Sequence, residues 1–191
     1  MLIANVNNMG RQWYIVMAVA IAAVVIYLIF QNQIRKLVFQ IFNGFMNKAN
    51  QAKINELHLV AQIPFTKLLE AADKLGYDVI ITSGRRTLER QSELDDANPA
   101  NASVGYHPFG LAIDINLVNR KTGKRLRKAS SKSDWESTGL ITEAKKLGMR
   151  WGGDFKNYHD PIHFDLGGKY PYSKLAAEWQ KQGGEPHTIL L

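Results

Sequence analysis

The chain of 191 residues contains no cysteine. That excludes a disulfide scaffold, a thiolate zinc site and cysteine catalysis. It also lacks internal repeats and low-complexity tracts. Acidic residues are in the minority, 17 against 24 lysines and arginines, for a net charge of +7. Such an excess points to an anionic partner: nucleic acid, phospholipid or cell-wall polymer. Charged residues at 21% and aromatics at 10% exclude a disordered or collagen-like chain. The length suits one ordinary domain plus a smaller segment.

The apolar residues are unevenly spread, although mean hydropathy is only -0.21. Trp13 to Phe30 is a run of eighteen residues without a polar face. As a helix it spans roughly 27 Å, close to the ~30 Å hydrocarbon core of a bilayer. Trp13, Tyr14 and Tyr27 lie toward its ends, where amphipathic rings favour the interface. A buried core helix and a cleaved signal peptide are the alternatives. Gln31-Asn32-Gln33 offers no small-residue cleavage site. The run is therefore expected to be a transmembrane helix, 13–30, after a tail of residues 1–12.

Beyond it, Ile34, Leu37, Val38, Ile41, Phe42, Phe45 and Met46 recur at the spacing of one helix face, flanked by Arg35, Lys36 and Lys48. An amphipathic helix on a lipid surface and one packed on protein both fit this stripe. With the polar stretch Asn47 to Asn55 it makes a juxtamembrane helix and linker, 31–53, so that 13–46 is the expected lipid contact.

From about Ile54 to Gln182 the pattern is that of an α+β domain, a small antiparallel sheet with flanking helices. Phe65, Leu68, Leu69, Ala72 and Leu75 form a helical stripe closed by Gly76. Tyr77–Ile81 and Leu111–Val118 read as strands, and Thr87 as the cap of a helix to Ala97. A turn is expected over Asn119–Lys124. One helix capped by Ser133 is expected to run to Leu147, followed by strands at Met149–Trp151 and His163–Leu166. A last helix covers Ser173–Gln182, leaving 183–191 as an extended tail.

Two segments carry chemistry. His107 and Asp114 lie in Y-H-P-F-G-L-A-I-D-I, and Asp160 and His163 in H-D-P-I-H-F-D-L. Two histidines and one carboxylate form a zinc ligand set with an open fourth position, and a further carboxylate can take a proton from water. Spacing alone favours structural histidines over a metal site.

Four blocks occur in order: Ser83-Gly84-Arg85-Arg86-Thr87, His107-x-x-Gly110-x-Ala112-x-Asp114, Arg150-Trp151-Gly152-Gly153-Asp154-Phe155 and Asp160-x-x-His163-Phe164-x-Leu166. Together they resemble the zinc peptidases that include D-alanyl-D-alanine carboxypeptidases, vancomycin-resistance dipeptidases and phage L-alanyl-D-glutamate endopeptidases, most of all the phage endolysin branch. The likeness covers roughly Phe65 to Leu166. It implies Zn²⁺ held by His107, Asp114 and His163, with Asp160 as general base. Arg86 would steady a substrate carboxylate or developing oxyanion, or else pair with Glu89 or Glu93 on the surface. Gly110 would leave room near the metal or serve a turn. Trp151 and Asp154 would shape the cleft or support a ligand, with a core role the alternative for Trp151. Family members usually carry a serine two residues before the first histidine, where this chain has Gly105.

The implied substrate is a peptidoglycan stem peptide, cut at its L-Ala–D-Glu bond. A D-Ala-D-Ala carboxypeptidase of the bacterial envelope and a non-catalytic wall-binding membrane protein are the alternatives. The basic run Arg120, Lys121, Lys124, Arg125, Arg127, Lys128 and Lys132 fits a solvated hairpin or a grip on anionic polymer or membrane. It has no interleaved aromatics, which argues against nucleic acid. Positive charge after the anchor would place the domain in the cytoplasm. A virion with an internal membrane, where other subunits would be partners, avoids that difficulty; a bacterial inner membrane with the domain facing the wall is the other setting.

Overall fold

The structure, a computed structural model, describes residues 17, 20–23, 25–27, 30, 46–97 and 105–191, with the backbone alone at 95–97. The chain divides into two units, Met1–Gly44 and Phe45–Leu191. In the first, the described residues are helical and exposed. The tail 1–12 and the stripe from Ile34 to Phe45 lie outside the described residues, as does much of 13–30. The described residues give the expected membrane span no support: among them no helix is long and apolar enough to cross a membrane.

The second unit is an α+β domain. Its first element, α1 (Lys48–Asn55), corrects the reading of this stretch as a linker. The polar groups that suggested solvent are satisfied by protein. The Asn47 side chain accepts from the Asn50 amide and caps the helix. The Asn50 side chain is buried; it donates to the Val79 carbonyl at 2.7 Å and accepts from the Ile81 amide at 2.9 Å. Lys53 donates to the carbonyls of Ile81 and Thr82. These contacts occupy the outer backbone groups of β1 (Tyr77–Ser83), an edge strand that would otherwise invite pairing.

Helix α2 (Leu59–Lys74) buries Ala61, Phe65, Leu68, Leu69 and Ala72. Its apolar stripe was legible, but it begins earlier, at a cap supplied by His58. The His58 Nδ1 accepts from the Val60 amide and its other nitrogen donates to the carbonyl of Ile189. That bond, and Ile189 at 2% exposure, fold the expected tail back onto the domain through a 3-10 turn at Pro186–Thr188. Gly76, at φ +85°, ends α2 as its left-handed conformation permits.

The sheet runs β1-β2-β5-β4, with β2 (Ala112–Asn119) in its middle, β5 (His163–Asp165) and β4 (Arg150–Trp151) beyond; the two-residue β3 (Arg125–Leu126) also pairs with β2. All pairings are antiparallel. Ile113, Ile115, Leu117 and Phe164 are fully buried, each worth ~1.5–3 kcal/mol. Helix α3 (Leu88–Ala97) follows β1, and the Thr87 hydroxyl accepts from the Arg90 amide, the cap expected there. The single helix expected from Ser133 is two, α4 (Lys132–Glu136) and α5 (Leu140–Lys146). Ser131, not Ser133, caps the first, and Gly139 at φ +78° breaks the helical path. Helix α6 (Tyr172–Gln182) closes the domain.

Candidate metal centre

Backbone pairing builds the site. Asp114 on β2 and His163 on β5 are direct partners across the antiparallel ladder, which sets their side chains together. On the other side of β2 the register shifts between Ile81 and Ser83, so that Ser83 faces Asp114. Such bulges re-aim side chains beside sites. His107 comes from the loop before β2, fixed by the Gly110 amide donating to the His107 carbonyl. Gly110 is left-handed, at φ +65°, and a Cβ there would strike the His58 amide. It serves a turn against the start of α2, not a passage beside the metal.

The result is a triangle. His107 Nε2 lies 3.2 Å from Asp114 Oδ1 and 3.3 Å from His163 Nδ1, and His163 Nδ1 lies 3.0 Å from Asp114 Oδ1. Donors about 2.0–2.1 Å from a tetrahedral zinc stand about 3.3 Å apart, so the three atoms fit that ion with little movement. Both rings are oriented from behind. His107 Nδ1–H donates to the Gly84 carbonyl at 2.6 Å, and His163 Nε2–H donates to Asp165 Oδ2 at 3.0 Å. Each histidine thus presents its other nitrogen to the centre, the arrangement that supports a metal ligand.

The electrostatics treat the three donors differently. Burial lowers the pKa of His107 and outweighs the pull of Asp114, keeping the ring neutral. Burial works to raise Asp114, but the two imidazoles hold it well below the ordinary carboxylate range. Burial also opposes charge on His163, yet the hydrogen bonds and charges of Asp114 and Asp165 prevail and raise it to about 9.

Asp165, fully buried, was not singled out from the sequence. It receives Arg150 through two bonds, at 2.7 and 2.9 Å, and the Gly167 amide at 2.6 Å. Its signal was there: residues i and i+2 of a strand share a face, so His163-x-Asp165 sets the carboxylate beside the ring.

Asp160 borders the same cleft, a hollow of about 200 Å³ that also takes in Arg86, Lys128, Phe155, Tyr158 and the three ligand candidates. Its Oδ1 is buried and receives no hydrogen bond. The Gly-Gly pair explains how it is placed. A Cβ on Gly152 would collide with the Asp160 carbonyl, and one on Gly153 with the Trp151 ring. The Asp160 amide donates to the Gly152 carbonyl, and the His163 amide to that of Asp160.

Arg86 pairs with neither Glu89 nor Glu93. Its three nitrogens donate to Asp114 Oδ2 at 2.6 Å, Ser83 Oγ at 2.9 Å and Gln91 Oε1 at 3.4 Å. A Cβ at Gly105 would stand in ordinary contact, 3.4 Å from the Gln91 side-chain amide. Trp151 is a core aromatic, its indole donating to the Pro161 carbonyl. Asp154 pairs with Lys132 and Lys145 instead of a ligand. A larger hollow of about 530 Å³ beside Asn50, Tyr77 and Val118 has no histidine in its lining.

Comparison with known proteins adds independent findings. Residues 99–166 match the family described as D-alanyl-D-alanine carboxypeptidase. The chain is 32% identical over 127 residues to the peptidoglycan L-alanyl-D-glutamate endopeptidase CwlK of Bacillus subtilis, covering 59% of this chain and 74% of that protein. It is 28% identical over 115 residues to the L-alanyl-D-glutamate peptidase of Listeria phage A118, covering 60% of this chain and 40% of the phage protein. Among solved structures, the Serratia marcescens L-Ala D-Glu endopeptidase ChiX shares the fold, with a TM-score of 0.50 and 19% identity over 66% of this chain and 92% of the other.

Proposed function

The chain belongs to the zinc peptidase family of D-alanyl-D-alanine carboxypeptidases and L-alanyl-D-glutamate endopeptidases, and from that membership we propose that it hydrolyses the L-Ala–D-Glu bond of peptidoglycan stem peptides. The observation that carries the reading is the triangle of His107 Nε2, Asp114 Oδ1 and His163 Nδ1 at 3.0–3.3 Å, open on the cleft that Asp160 borders. The names of the two relatives favour the L-Ala–D-Glu bond over a terminal D-Ala.

His107, Asp114 and His163 would hold the zinc. Bound there, the ion supplies Lewis acidity that polarises a carbonyl and makes a water molecule more acidic. Asp160, with a carboxylate oxygen that no donor satisfies, takes the water's proton and returns it to the departing amine. Arg86 holds Asp114 through one nitrogen and lines the cleft with its side chain. Its loosest contact, 3.4 Å to Gln91, is the one that a developing oxyanion can displace. Asp165 and Gly84 keep the two imidazoles turned toward the ion.

The apolar run 13–30 and the basic residues after it support a membrane anchor. Anchorage in a virion's internal membrane, for opening the wall during entry, accommodates both the charge pattern and the likeness to a phage peptidase. The test is a digest of purified muropeptides read by mass spectrometry, with zinc measured on the same protein. New L-Ala carboxyl ends and stoichiometric zinc are expected. Loss of terminal D-Ala would favour the carboxypeptidase, and zinc without turnover the non-catalytic wall-binding protein. Asp160→Ala is expected to keep zinc and lose cleavage.

A further inference from the structure

Three cations line the metal cleft: Arg86, Lys128 and Arg150. Two are bound to acids of the site. Arg86 donates to Asp114 and Arg150 doubly to Asp165. Lys128 differs. Its ammonium lies 3.6 Å from Asp160 Oδ1, beyond hydrogen-bond distance, and its side chain is 60% exposed. It belongs to the basic run, whose other paired members face elsewhere: Arg120 meets Asp73 and Asp78, Lys124 meets Asp134, and Lys132 meets Asp154 and Glu136. The backbone that carries Lys128 is pinned. The Ser130 amide donates to the Arg127 carbonyl, the Arg127 amide to the Ser130 hydroxyl, and the buried Trp135 indole to the same carbonyl. A fixed turn therefore projects a cation over the cleft, next to the carboxylate read as general base.

This inference rests on the L-Ala–D-Glu reading. Glutamate has two carboxyl groups. A peptide that continues through one leaves the other ionised, a few bonds from the nitrogen that becomes the new amine. We propose that Lys128 is a specificity-determining residue that binds this free carboxylate of the substrate's D-glutamate. Its ammonium reaches the leaving side of the bond because it already stands beside Asp160, which delivers the proton there. A substrate carboxylate completes for Lys128 the ion pair that Asp160 leaves long. A charge-assisted contact of this kind corresponds to about 10–100-fold in kcat/KM.

The test uses the full chain loaded with zinc and two synthetic L-Ala–D-Glu peptides, identical except that one has the free carboxyl and the other its carboxamide. The unmutated protein is expected to prefer the acid. Lys128→Met should lower kcat/KM for the acid about 10–100-fold, chiefly through KM, and lower it much less for the carboxamide, with Lys128→Arg restoring much of the preference. Equal loss on both peptides, or a shift of the acid limb of the pH profile for both, would show that Lys128 acts through Asp160 and overturn the proposal. Preference for the acid retained in Lys128→Met also overturns it. If the unmutated protein cuts neither peptide, the bond assignment fails and takes this inference with it.

Discussion

Asp165 accepts the Nε2–H of His163 at 3.0 Å from two positions along the same strand. The carboxylate is itself fully buried and held by Arg150 and the Gly167 amide. The imidazole therefore has one orientation, and its Nδ1 points at Asp114 and His107.

Replacing Asp165 by Asn should weaken zinc binding about 10–100-fold, since the ring loses the carboxylate that fixes it. Competition against a chelating indicator reads this directly. Unchanged affinity would mean that Asp165 serves Arg150 and the fold alone.

Zinc binding at the triangle should displace a proton from His163. With His163 raised to about 9 by Asp114 and Asp165 against the opposition of burial, the ring is charged at neutral pH. Calorimetry at pH 7.5 in two buffers of different ionisation enthalpy should report release of about one proton per zinc.

The same group sets a stability window. A folded pKa above the unfolded value of ~6.5 gives stability that is fully present below pH ~6.5 and lost as pH rises through about 9. Chelated protein should therefore melt lower at pH 9.5 than at pH 6.5. The zinc-loaded protein should show much less of this fall, because the metal ligand is unprotonated throughout. Parallel melting curves for the two forms would contradict the assignment.

Gly152→Ala should push the Asp160 segment away, because the new methyl meets the Asp160 carbonyl. Overpacking of this kind costs ~1–3 kcal/mol. Activity is expected to fall by more than the loss of stability explains, with zinc retained, as thermal melting and metal analysis together would read.

Asn50→Ala tests whether α1 belongs to the domain. Its loss strands the Val79 carbonyl and the Ile81 amide in a buried place, at ~1–3 kcal/mol for such a group. A lower melting temperature with intact zinc binding is expected. No change would return residues 47–55 to the role of a linker.

The sequence by itself carried the amphipathic stripe of α2, the strands at Tyr77, Ala112 and His163, and the ordered blocks that place His107, Asp114, Asp160 and His163 in one family. Those features are local: periodicity and motif order survive without knowledge of what lies across the fold. It also divided the charge, five basic residues and one acidic before position 61 against nineteen and sixteen after it. The tertiary structure decided what polarity was for. The asparagines around Asn50 read as solvent-loving until β1 lay beside them, and the last residues read as a tail until His58 held Ile189. Arg86 turned to Asp114 instead of its sequence neighbours, because β1 and β2 bring positions 28 residues apart within 2.6 Å. Whether a charged group faces water, a metal ligand or a substrate depends on partners distant in the chain, and only packing supplies those.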